Sequence, residues 1–181
     1  RNFATNGPAS TPEELSKYKM RAQENPVHMD MYKMLGVQAV AKPTSEVLPA
    51  LNTGIVDGFD NTALFSLAAG WIEPVSHYTL SKHIYQPAAV VYSKVFVDSL
   101  PPDLQKVVLG DPLAESARGR IAVRSLEGEL LDTIRSMGKQ VIELTAAQRG
   151  VLKAKTHPVH KSFLATHREL IPTYTEVLGR L

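Results

Sequence analysis

Residues 18–41 read YKMRAQENPVHMDMYKMLGVQAVA, and their order sets the fold class. Tyr18 to Gln23 reads as a short strand carrying Arg21 near its end. Asn25-Pro26 then opens a helix whose Met29, Met31, Tyr32 and Leu35 sit mostly at helical spacing, and Gly36 stops it. Val37 to Ala41 is a second strand. The alternation continues outward. Ser45 to Leu51 is a short helix interrupted by Pro49 and ended near Gly54, Ile55 to Phe59 a third strand, and Asn61 to about Gly70 another helix. Upstream, Thr11 is an N-cap with Pro12 at N1 and Glu14 at N3. Such alternation predicts an α/β fold with a mostly parallel sheet.

Beyond Trp71 the pattern changes. Tyr78 to Leu80 and Ile84 to Tyr92 read as extended, and Ala88-Ala89-Val90-Val91-Tyr92 is apolar enough for a buried central strand. Pro101-Pro102-Asp103 starts a helix that Gly110 ends, and Asp111-Pro112 caps another that should run to Met137. A helix of that length, about 39 Å at ~1.5 Å per residue, suits a bridge between two lobes. Gln140 to Leu144 is a last strand, and the remainder is helical with breaks at Pro158 and Pro172.

The chain has 181 residues, enough for one soluble unit with a real core. Its formal net charge of +2 leaves no basic surplus for phosphate-backbone binding, so nucleic acid is not an expected partner. With no cysteine, disulfides, thiolate metal sites and a Cys nucleophile are excluded. No apolar run reaches the roughly 20 residues of a membrane span. His157, His160 and His167 lie in a Lys-rich stretch without acidic partners and read as solvated surface, whereas His83 suits a satisfied buried histidine. No phosphate-binding glycine loop or nucleophile elbow is present, and no cofactor or metal is expected.

Two strand-to-helix junctions concentrate polar residues: Met20-Arg21-Ala22-Gln23-Glu24-Asn25-Pro26 and Val56-Asp57-Gly58-Phe59-Asp60-Asn61-Thr62. Ligands of open α/β sheets bind beyond the carboxyl ends of strands. An arginine at one such end and an asparagine at another suit a carboxylate, because a guanidinium grips both oxygens through a planar fork. The blander alternative makes Arg21 a structural salt bridge and Asn61 a helix cap.

At these residues the sequence resembles the solute-binding receptors of TRAP transporters, the DctP-like family. The resemblance runs through Thr11 to Leu15, Lys19-Met20-Arg21, Gln23 to Pro26, Met34-Leu35-Gly36, Ser45-Glu46-Val47, Leu51 to Gly58, Asn61, and Ser99 to Lys106. It implies a periplasmic-binding-protein-like α/β fold of two lobes, with a long helix joining them. Here one lobe would be nearly complete, with part of the other. Residues 1–86 would belong to the second lobe, 87–126 to the first, and 127–181 would return to the second. The chain would then be the C-terminal part of a receptor whose precursor carries a signal peptide.

The resemblance implies a periplasmic receptor, not an enzyme, that captures an organic acid and passes it to the membrane subunits. The arginine at position 21 would pair with the ligand carboxylate, helped by Asn61, with Arg1 as a second arginine. Glu24, Phe59, Asp60, Thr44 and Tyr85 complete the candidate ligand-binding set. Phe59-Asp60-Asn61-Thr62 replaces the family's usual Gln-Glu-Asn-Pro, and Thr44 stands where an aromatic is common. Those departures imply an acid other than the simple dicarboxylates or sialic acid of well-known members. A competing reading is a small enzyme acting on a carboxylate, with Asp60 or His83 as general base and Arg21 as anchor. A third takes the chain as a truncated product whose exposed inter-lobe surface self-associates.

Overall fold

The computed structural model describes residues 1–179. Its strands are β1 (Asn2–Thr5), β2 (Met20–Ala22), β3 (Ala39–Ala41), β4 (Gly58–Asn61), β5 (His77–Leu80) and β6 (Gln140–Glu143). They form one sheet in the order β3-β2-β4-β1-β5-β6. β2 runs parallel to β3 and β4, and β5 runs parallel to β6, but β1 is antiparallel to both β4 and β5. Five of the six strands therefore run in one direction, so the sheet is mostly parallel, as expected, with one antiparallel strand set into it. That strand, β1, is four residues long and carries no strand signal read in the sequence.

Helices α1 (Pro12–Leu15), α2 (Pro26–Leu35), α3 (Val47–Asn52) and α4 (Ala63–Ala68) connect the first strands. They start where the local chemistry dictates. Thr11 accepts from the backbone N–H of Glu14, and Asn25 accepts from those of Val27 and His28. Gly36 closes α2 in the left-handed conformation, at φ 74°. After β5 come α5 (Lys94–Asp98), α6 (Pro102–Leu109), α7 (Pro112–Ser125) and α8 (Glu127–Ser136). The long helix expected from Pro112 to Met137 is thus two helices, interrupted at Leu126. After β6 follow α9 (Ala146–Thr156), α10 (Pro158–Thr166) and α11 (Ile171–Leu178). Residues 180 and 181 lie outside the described residues.

Each face of the sheet buries its own apolar cluster. One holds Ala4, Phe59, Tyr78, Leu80, Trp71 and Ile134, and α3 and α8 contribute to it. The other holds Phe3, Met20, Ala22, Tyr32, Leu35 and Leu144, closed by Leu152 of α9 and Val159 of α10. Strand alternation sorts the polar residues in the same way. Phe59 shares its face of β4 with Asn61, whereas Asp60 points to the face of Phe3 and Met20. Arg21, between Met20 and Ala22, faces the Phe59 side.

Ile84 to Tyr92 forms no strand. Val90 and Val91 are each 84% exposed, and none of residues 85–129 is buried. The stretch has the composition of a core strand, but among the described residues no sheet edge pairs with it. Residues 85–129 instead form an extended arm of loop and helices α5 to α7.

Candidate functional site

Arg21 is 2% exposed. Its Nε and Nη2 both donate to the carbonyl of Lys42, at 2.9 and 2.6 Å. The guanidinium also lies over the Trp71 ring, 5.4 Å from its centroid. Trp71 is itself held edge-on by Phe59 at 5.3 Å and Phe65 at 5.1 Å. No carboxylate lies within ion-pair distance of Arg21 among the described residues, so the structural salt bridge weighed above is absent. Burial lowers its pKa, while Asp60 acts in the opposite sense.

A guanidinium has five N–H groups. Two of those of Arg21 converge on the Lys42 carbonyl along the Nε–Nη2 edge. Nη1 has no hydrogen-bond partner among the described residues, which leaves the Nη1–Nη2 edge, one of the two that can grip a carboxylate bidentately, open on that side. Asn61 ends β4 on the same face of the sheet. Its Oδ1 accepts from the backbone N–H of Thr62, and its carbonyl accepts from the Tyr78 hydroxyl. Asn61 does not cap α4; Thr62 does, accepting from the backbone N–H of Phe65. The amide N–H groups of Asn61 are thereby left as donors.

The opposite face carries a second polar cluster, centred on Asp60, which has no exposed surface. Tyr32 donates its hydroxyl to Asp60 Oδ1 at 2.9 Å, and His28 Nε2 lies 2.8 Å from the same oxygen. Arg1 Nη1 donates to Oδ2 at 3.2 Å, and His83 Nε2 approaches it to 3.5 Å. The tautomer of His28 is fixed by its surroundings. The backbone N–H of Gln23 donates to Nδ1, so the ring proton sits on Nε2, facing the carboxylate. His83 stacks on Phe3 with centroids 4.0 Å apart, and its Nδ1 is 2.7 Å from Ser81 Oγ. Burial alone would raise the Asp60 pKa. The His28 and His83 imidazoles approaching it outweigh that and hold the carboxyl well below the usual carboxylate range. Burial pushes the Tyr32 hydroxyl well up and the His83 imidazole down.

The eight residues expected at a ligand therefore divide. Arg21 and Asn61 share one face at neighbouring strands. Phe59 lies on that face too, fully buried in the core against Trp71. Asp60 and Arg1 pair with each other on the other face. Glu24 and Thr44 are exposed on the loops after β2 and β3. Tyr85 is 78% exposed at the root of the arm. His28 and Trp71 went unread in the sequence. The signal for His28 was its spacing, three and four residues before the buried Met31 and Tyr32. Of the other histidines, His160 meets the Tyr174 hydroxyl at 3.0 Å. Among the described residues no group of His, Cys, Asp or Glu could hold a metal ion, and no helix is long and apolar enough to cross a membrane.

Residues 1–167 match the family model for bacterial extracellular solute-binding protein, family 7. The C4-dicarboxylate-binding periplasmic protein DctP of Rhodobacter capsulatus is 32% identical over 160 residues, 87% of this chain and 48% of that protein. A TRAP periplasmic solute-binding protein of Citrobacter koseri, solved with bound D-glucuronate, is 30% identical with a TM-score of 0.81, covering 97% of this chain and 57% of that one. The periplasmic ectoine-binding protein of Halomonas elongata shares the fold at a TM-score of 0.87 and 23% identity, over 99% of this chain and 60% of that one. The chain spans about half the length of the curated relatives it matches.

Proposed function

The chain belongs to the bacterial extracellular solute-binding proteins of family 7, and from that premise we propose that it forms the acid-gripping part of a TRAP-type receptor. The observation that carries this reading is Arg21: a buried cation whose Nη1 has no hydrogen-bond partner among the described residues and which has no protein carboxylate within ion-pair distance. Burying a charge is costly unless a counter-charge meets it. An organic acid supplies that counter-charge, with the Asn61 amide as a second donor. In this reading the receptor works in the periplasm and hands its acid to the transporter's membrane subunits.

The same reading assigns residues 1–86 and 127–181 to one lobe and 87–126 to the other. The uniformly exposed arm supports that division, since its Val90, Val91, Val95 and Leu113 have the apolar character of core residues without a core to join. Left uncovered, such a surface favours self-association. Closing a second lobe over Arg21 would exclude water and strengthen the ion pair.

The enzyme alternative fares worse. A general base must come within hydrogen-bond reach of the proton it takes. Asp60 is sealed among Tyr32, His28, His83 and Arg1, and His83 faces Asp60, both on the sheet face away from Arg21.

The test is titration of the protein with D-glucuronate, followed by the Nε–H resonance of Arg21 and by calorimetry. Arg21→Ala is expected to weaken binding by about 2–5 kcal/mol, the loss typical of a desolvated charge pair. Unchanged affinity would remove Arg21 from the site.

A further inference from the structure

On the reading of Arg21 as the acid-holding cation, we infer that Trp71 is the positioning residue of the site: its ring holds the guanidinium in place without neutralising it. The inference comes from asking what keeps a buried cation still while its charge stays available. The Lys42 carbonyl is one anchor. It is itself fixed, because the Lys42 N–H donates to the Ala22 carbonyl at 3.1 Å and so extends the pairing of β2 with β3 by a residue. Yet Nε and Nη2 of Arg21 converge on this single oxygen, and a plane held at one point can still pivot about it.

Trp71 supplies the second anchor. Its ring centroid lies 5.4 Å from Arg21 Cζ, within the range of cation–π attraction, which is strongest for Trp and grows with desolvation. Both residues are buried. The ring in turn has little freedom. Gly70 turns the chain after α4 at φ 68°, and the Ile72 N–H donates back to the Ser66 carbonyl at 3.3 Å, which fixes the backbone on either side of Trp71. Phe59 of β4 and Phe65 of α4 then meet the indole edge-on, with interplanar angles of 82° and 69°.

A carboxylate in place of the ring would also steady the guanidinium. It would, however, occupy an N–H edge and cancel the charge that draws the ligand. An aromatic face attracts the cation through its quadrupole and leaves the formal charge uncompensated. It also offsets part of the cost of keeping that charge buried before the acid arrives. Trp71 thus acts on the acid through Arg21, and Phe59 and Phe65 act through Trp71.

The test follows the Arg21 guanidinium by nitrogen-detected NMR. A steadied guanidinium rotates slowly about Nε–Cζ and gives two Nη signals, whereas a free one gives a single averaged signal. Two signals are expected in the unaltered, ligand-free protein and in Trp71→Phe, which keeps an aromatic face. One averaged signal is expected in Trp71→Leu, which keeps apolar bulk without that face. Averaging in the unaltered protein or in Trp71→Phe overturns the inference, and so do two signals in folded Trp71→Leu. With D-glucuronate as the probe, affinity is expected to fall at least tenfold in Trp71→Leu and less than threefold in Trp71→Phe. Binding of equal strength in all three proteins overturns the inference and leaves Arg21 as the acid's partner. D-Glucuronate that binds without moving the Arg21 signals overturns the acid reading itself. If D-glucuronate does not bind, the ligand-free signals decide alone. Should Trp71→Leu fail to fold, the emission of Trp71, the chain's only tryptophan, takes its place. Arg21→Gln is then expected to shift the emission maximum, and an unmoved maximum overturns the inference.

Discussion

Asp60 has no exposed surface and is nevertheless held ionised, and that makes the stability of the protein depend on pH in two steps. A carboxyl whose folded pKa lies below its unfolded value stabilises the fold above about pH 4, and that contribution is lost as pH falls through the folded pKa. His83 acts in a higher window. Its folded pKa is lowered, so the unfolded chain binds the extra proton first, and stability declines as pH falls below about 6.5. His83→Gln is expected to flatten urea-unfolding stability between pH 6.5 and 5, and a slope equal to that of the unaltered protein would exclude His83 as its source. Asp60→Asn should cost about 3 kcal/mol at pH 7, since it leaves Arg1 buried without its partner. The difference should shrink on acidification below about pH 4 and be lost as pH falls through the folded pKa of Asp60, where both chains lack the negative charge. Arg21 was legible in the sequence because its chemistry and its strand-end position coincide. The cluster around Asp60 was not. It joins Arg1, just ahead of β1, with residues from α2, β4 and the loop after β5, and only the sheet's register brings them together.

At the scale of elements, caps and glycines were the readable signals. Thr11, Asn25, Gly36 and Asp111 mark boundaries that the structure keeps within a residue or so. Asn61 was the exception, because Thr62 next to it offers the hydroxyl that caps α4 while Asn61 still belongs to the strand. Ile84 to Tyr92 failed for a different reason. Apolar composition says what a strand could bury, but pairing requires an edge, and none of the described strands offers one to it. Gly58 illustrates how close that pairing is elsewhere. A Cβ at this position would stand 2.4 Å from the Ala4 carbonyl and 2.9 Å from Met20 Sδ, where β4 passes between β1 and β2. Gly58→Ala is expected to destabilise the fold by about 2–3 kcal/mol through overpacking. A melting temperature within a degree of the unaltered protein's would show that the strands part more easily than their spacing indicates.

At the scale of the molecule, the arm and the sheet contrast. Residues 85–129 have no buried member, so their backbone hydrogen bonds are shielded by nothing beyond the helices themselves. Amide exchange in α5, α6 and α7 is expected to be at least a hundredfold faster than in β1, β4 and β5. Comparable protection in the arm would mean that something covers it in solution, and sedimentation would then distinguish a second copy. The sequence foretold the α/β class and a mostly parallel sheet, but not the antiparallel strand β1 within it. The four residues of β1 carry consequences out of proportion to their length. Among the described residues, the backbone ladder reaches from the β3-β2-β4 half of the sheet to the β5-β6 half through β1 alone. Trimming Asn2 to Thr5 would therefore not fray a margin but divide the molecule down its middle.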